Sequence, residues 1–96
     1  VGEAGVLQAS RIGLLDYPKV LSAQALDNRT LSIEFSNHIK KLYDITPLLE
    51  REMFAPLKVP ALFKAVEVDR GGYAVVWGDS IDISEYELWR HGQKVD

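Results

Sequence analysis

DITPLLEREMFAPLKVPALFKAV, residues Asp44–Val66, sits in the middle of a chain of 96 residues. Three of the four prolines of the chain fall in or bound its turns: Pro47, Pro56 and Pro60. Between them apolar residues recur at short helical spacings: Leu48, Leu49, Met53, Phe54, Leu57, Leu62, Phe63 and Val66. Proline at a first helical position gives up an N–H that would have no partner and presets φ. Thr46, just before Pro47, has the hydroxyl that can cap such a turn. The spacing predicts a short helix over Pro47–Met53, a tight turn through Phe54–Leu57 and a second short helix from Pro60. The chemistry on either side is that of strands, which makes the chain α+β.

Upstream, Val20–Leu26 reads as a strand, with Leu21, Ala23 and Ala25 on one face and Val20, Ser22, Gln24 and Leu26 on the other. Asp27-Asn28-Arg29 is a turn, because Asp and Asn bond their own backbone and tolerate left-handed conformations. Leu31, Ile33 and Phe35 then alternate with Thr30, Ser32, Glu34 and Ser36, one face buried and one wet. Asn37-His38 turns the chain into Ile39, Lys41, Tyr43 and Ile45, where Leu42 breaks the alternation and implies partial cover on both faces. These three strands form an antiparallel meander.

Downstream, Val66–Val68 opens a second β-hairpin, turned by Asp69-Arg70-Gly71-Gly72, whose glycines accept positive φ. Tyr73, Val75 and Trp77 face one way and Ala74 and Val76 the other, so this strand is central. Gly78-Asp79-Ser80 leads into Ile81–Ile83. Ser84 and Glu87 have the spacing of a capping box, opening a short C-terminal helix packed on the sheet through Tyr86, Leu88 and Trp89 and stopped at Gly92. Residues 18–92 thus form a single α+β domain. Residues 1–17 are a leader, either loose or docked through Leu14 and Leu15, and residues 93–96 a tail.

Composition excludes several classes. With 47% hydrophobic and 26% charged residues the chain is an ordinary globular domain. No run approaches the ~20 apolar residues of a membrane span, and the leader lacks the basic and apolar regions of a secretory signal. The absence of cysteine removes disulfides, thiolate chemistry and Cys-based zinc sites and suits a reducing cytoplasm. The net charge of −3 argues against direct nucleic-acid binding. Acids dominate from Glu67 onward, so the C-terminal third is the acidic part.

No catalytic set is legible. His38 and His91 are the two histidines, and neither a cysteine nor a third histidine completes a metal site. Asp79, Asp82 and Glu85 could hold a hard cation through oxygen. Their spacing fits no EF-hand loop, and a turn at Asp79 with Asp82 and Glu85 favouring a helix N-terminus accounts for them better. Asp44 lacks a partner as a general base and is better placed to accept N–H bonds from the Pro47 turn. Trp77 and Tyr73 read as core at strand spacing. Lys40, Lys41, Arg51, Lys58 and Lys64 read as solvated charges.

The order Pro18, Val20, Leu31–Phe35, Asp44-Ile45-Thr46-Pro47-Leu48-Leu49, Phe54-Ala55-Pro56-Leu57, Pro60-Ala61-Leu62-Phe63, Trp77 and Asp82 resembles the small bacterial family known as domain of unknown function 2442. The resemblance spans Tyr17–Trp89. Asn37-His38 replaces the family's usual Asn-Gly, and Val59-Pro60 its usual Asp-Pro. The resemblance implies a compact α+β domain of no established activity, akin to antitoxin-like neighbours of small toxins. Some members carry a helix-turn-helix segment after the domain, which is not expected within these residues.

The reading that follows is a non-enzymatic protein-interaction module, antitoxin-like or regulatory, with no cofactor. Its partner is a small protein, with a second copy of the chain also open. Asp79, Glu85 and Glu87 are the candidate contact residues, and Asp44, Thr46, Pro47, Trp77, Asp82 and Ser84 the candidate structural motif. The alternative is a small-molecule or metal-binding domain using the Asp79, Asp82 and Trp77 region.

Overall fold

A computed structural model describes residues 17–95. The leader residues 1–16, and with them the docking role for Leu14 and Leu15, lie outside the described residues. The architecture is α+β. Strands β1 (Val20–Ala25), β2 (Thr30–Phe35) and β3 (Lys40–Asp44) form the meander, and β7 (Gln93–Lys94) joins β3 as a fourth strand. A second sheet holds β4 (Glu67–Val68), β5 (Ala74–Trp77) and β6 (Ile81–Ser84), with β5 central. All pairings are antiparallel. The domain therefore extends into the stretch read as a tail.

The alternation in β2 decides what is buried. Leu31, Ile33 and Phe35 are fully buried, and Val75, Trp77, Ile81 and Ile83 meet them from the second sheet in one cluster with Phe54, Leu57, Phe63 and Leu88. In β1 the pattern changes phase. Val20 is buried opposite Phe35, the pairing shifts before Ser22, and Ala23 and Ala25 then face the core while Leu21 is exposed. A bulge adds one residue to one strand and so reverses the parity of everything beyond it. That is why no strict alternation runs from Val20 to Ala25.

The middle stretch differs from its expected form. Instead of a helix to Met53 and a tight turn, two 3-10 helices, Thr46–Glu50 and Glu52–Lys58, precede α1 (Pro60–Phe63). Pro56 lies inside the second. A proline every few residues removes donors and pushes its predecessor out of the α region, so only short, tight turns survive. Thr46 does not cap. Its own N–H and hydroxyl are both donated to Asp44 Oδ1, at 2.8 and 2.6 Å.

Tyr73 is a second correction. It precedes β5 and is exposed, with the Lys19 ammonium over its ring, because the Gly71-Gly72 turn ends one residue later than the alternation implies. Gly72 has a φ of +75°, and a Cβ on it would come within 2.7 Å of Val20 O. Its carbonyl accepts from the Val20 N–H at 2.8 Å, a backbone joint between the two sheets. Among the described residues no helix is long and apolar enough to cross a membrane.

Two measurements check this packing. Phe35→Ala should cost about 3–5 kcal/mol in chemical denaturation, as large core truncations do. His38 holds a φ of +68°, a left-handed conformation that costs a non-glycine residue roughly 1 kcal/mol. His38→Gly should therefore raise stability by about that amount, less the small contribution of the exposed contact between His38 Nδ1 and Glu34 at 3.4 Å.

Candidate functional site

Among the described residues a broad recess lies where three parts of the chain converge. It is a cleft of about 610 Å³ between the end of β3, the first 3-10 helix and α2 (Glu85–His91), with Gln93 also in its lining. Tyr43, Asp44, Pro47, Leu48, Arg51, Glu87 and His91 carry its chemistry. A smaller recess of about 220 Å³ adjoins it through the shared residues Leu48, Arg51 and Glu87, and reaches Phe54 and β6 at Asp82–Ser84.

Glu87 is the hinge of the cleft. Tyr43, on the core face of β3, donates its hydroxyl to Glu87 Oε2 at 2.8 Å. The other carboxylate oxygen faces His91 Nε2 at 3.8 Å, one helical turn on. Glu87 thus ties α2 to β3. Burial, reinforced by this hydrogen bond, pushes the Tyr43 phenol well above its usual range. Across the cleft, the hydrogen bonds from the Thr46 hydroxyl and N–H hold Asp44 below the usual carboxylate range. The Arg51 guanidinium is exposed, and among the described residues no carboxylate lies within ion-pair distance of it.

The capping motif is half of a box. Ser84 Oγ accepts from the Glu87 N–H at 3.1 Å, but the Glu87 side chain is engaged with Tyr43. Glu85 is not a free surface charge either. Its side chain is 15% exposed, and Lys19 Nζ lies 3.2 and 3.1 Å from its two oxygens. Of the three expected contact residues, Asp79 alone is exposed without a bond of this kind among the described residues, in the turn after Trp77.

The structure therefore brings Asp44, Pro47, Glu87, Asp82 and Ser84 to one connected recess and leaves Asp79, Glu85 and Trp77 outside it. Trp77 is buried, stacked on Phe63, and its indole N–H is donated to the Phe63 carbonyl at 2.8 Å. Asp82 pairs with Val76, whereas Trp77 pairs with Ile81, so Asp82 and Trp77 project from opposite faces of the sheet. They make no common ligand surface. Among the described residues no three acidic, histidine or cysteine side chains are grouped as a metal site would need. Lys41 is also committed. Its ammonium sits over the Trp89 ring and donates to the Trp89 carbonyl at 2.5 Å, and burial, with Lys94 nearby, lowers its pKa.

Tyr43, Arg51 and His91 were not singled out by sequence as parts of one site. Glu87 and His91 stand four apart, the spacing of neighbours on a helix face, and that was the available signal. Tyr43 and Arg51 carried none, because their meeting depends on how the middle stretch folds back.

Residues 20–94 match the family described as protein of unknown function (DUF2442). The chain belongs to this family. No curated protein and no solved structure matches it. The family's span runs through β7 and includes every residue named in the cleft.

A double-mutant cycle checks the geometry. Tyr43→Phe and Glu87→Leu, each of which removes one partner, should show a coupling of about 1 kcal/mol in denaturation, the size of a typical net hydrogen bond. Ser84→Ala combined with Glu87→Gln should add to within about 0.5 kcal/mol, since Glu87 contributes its backbone N–H, not its carboxylate, to the cap.

Proposed function

We propose that this member of the DUF2442 family is a cytoplasmic, non-enzymatic protein-interaction module, antitoxin-like or regulatory in kind, that binds a small basic protein at the cleft. The observation that carries the reading is that the polar groups of the cleft are already committed to one another, the Tyr43 hydroxyl to Glu87 and the Thr46 N–H and hydroxyl to Asp44. Catalytic acids and bases are tuned toward the working pH. Here Asp44 is held below its usual range and Tyr43 above its own, so one stays charged and the other neutral. Both are tied into bonds within the chain that fix the shape of the recess. A pre-shaped surface of fixed charge suits recognition.

The sign of that charge names the partner. The two connected recesses are lined by three carboxylates, Asp44, Asp82 and Glu87, against one guanidinium, Arg51. Asp79, exposed in the adjoining turn, adds to the same sign.

Isolation of the chain from the cells that make it should yield a stoichiometric complex with a small basic protein. Asp79→Lys and Asp82→Lys should then slow association and flatten its ionic-strength dependence, with a smaller effect on dissociation, as charges at an interface rim do. Recovery of the chain alone, with a bound small molecule or a measurable turnover, would refute the reading.

A further inference from the structure

The hydrogen-bonding direction of β6 offers more than a charged surface. Antiparallel pairs alternate between those that exchange backbone bonds and those that do not. In the second sheet the phase is fixed at both ends: Glu85 N–H is donated to Tyr73 O, and Asp69 N–H to Ala74 O. Tyr73, Val75 and Trp77 therefore bond toward β6, while Ala74 and Val76 bond toward β4. Their partners in β6 follow from the register. Ile83 and Ile81 bond back to β5, whereas Asp82 and Ser84 are in non-bonded pairs with Val76 and Ala74. The N–H and C=O of Asp82 and the N–H of Ser84 point away from the sheet.

β6 is the last strand of its sheet, and its residues Asp82, Ile83 and Ser84 line the smaller recess together with Leu48, Arg51 and Phe54. Proteins commonly blunt an open edge by keeping it short and charged. This edge is short and carries Asp82, but it opens on a recess with apolar walls, and beyond Leu48 and Glu87 that recess continues into the larger cleft. Among the described residues no backbone bond reaches this side of β6, and a strand edge left open beside a pocket is the arrangement that binds extended peptides: the backbone supplies affinity, and the pocket selects alternate side chains.

We propose that an extended segment of a basic partner adds to the free edge of β6, pairs with Asp82 and Ser84, and places a lysine or arginine side chain toward Glu87 and Asp44. The occupant is chosen by charge, three carboxylates against Arg51. Arg51, at the junction of the two recesses, is then the group that an acidic residue of the same segment would meet. The inference rests on the interaction reading above and specifies its mode.

The test uses a synthetic peptide of about seven residues alternating lysine and valine, blocked at both ends, with the intact protein. Its controls are a glutamate–valine counterpart and the lysine peptide N-methylated at every second residue in either phase. Amide hydrogen exchange at Asp82 and Ser84 is the readout. Near nine-tenths saturation the lysine peptide should slow exchange at both amides by about tenfold, in proportion to the free fraction. The glutamate peptide should not, and one phase of N-methylation should abolish the effect. Asp82→Pro should lose the protection at Ser84 while keeping the fold, because proline is tolerated on an edge strand whose N–H faces outward. Asp82→Asn, which keeps the N–H, should weaken it only a few-fold. The proposal falls if the lysine peptide at millimolar concentration leaves both amides unchanged, if the glutamate peptide matches it, or if both N-methylated forms protect equally. The peptide arms decide the matter even if Asp82→Pro fails to fold. A native basic partner that forms a stoichiometric complex while these amides stay unprotected would retain the interaction reading and overturn strand addition alone.

Discussion

One buried hydrogen bond holds the middle of the chain to the rest: the Trp77 indole N–H donated to the Phe63 carbonyl. Each group needs the other. A helix as short as α1 leaves its last carbonyls without partners, and Phe63 is fully buried, where water cannot reach. The indole N–H is equally shut in, and such a group normally finds an acceptor. Removing either would strand a buried polar group, which costs more than the bond itself contributes. The stacking of Phe63 on Trp77 adds apolar contact at the same place. The proline-broken stretch, which has little helical stability of its own, is thereby anchored at its far end on the second sheet.

That anchorage makes the cleft. With Phe63 fixed at one end and Asp44 gripping Thr46 at the other, the two 3-10 helices are held as a wall carrying Leu48, Arg51 and Phe54. The opposite wall is α2, fixed to β3 by Glu87 and, through Glu85, to Lys19 just before β1. The recess lies between elements far apart in sequence. Its shape is set by bonds at its margins, and among the described residues neither the Arg51 guanidinium nor the outer edge of β6 has a partner.

What could be read in advance was what depends on near neighbours. Alternation placed Leu31, Ile33 and Phe35 correctly, since one face of β2 is wet and the other dry, and the turn residues marked the hairpins. The role of Asp44 was legible because a carboxylate two residues before a helical turn has few other uses. The errors arose where a distant contact overrode a local pattern. Leu21 is exposed because the β1 bulge reverses parity, and a bulge leaves no mark in composition. Glu85 and Glu87 resemble solvated helix acids until Lys19 and Tyr43 arrive from the other sheet. Thr46 lost its capping role to its own neighbour, whose carboxylate is the better acceptor.

The joint between Val20 and Gly72 has a further consequence. There the two sheets touch backbone to backbone, and with Val20 O and the Lys19 Cβ close by, the space at residue 72 is too small for even one added carbon. A seam made this way fixes the spacing of the sheets at this one point by peptide geometry, while buried side chains fill the space elsewhere. Side chains on the outside of that seam can change in size and charge without moving the sheets, whereas any widening at residue 72 would shift the second sheet as a body and carry β6 with it. The position of the recess along the second sheet thus depends on one residue that has no side chain.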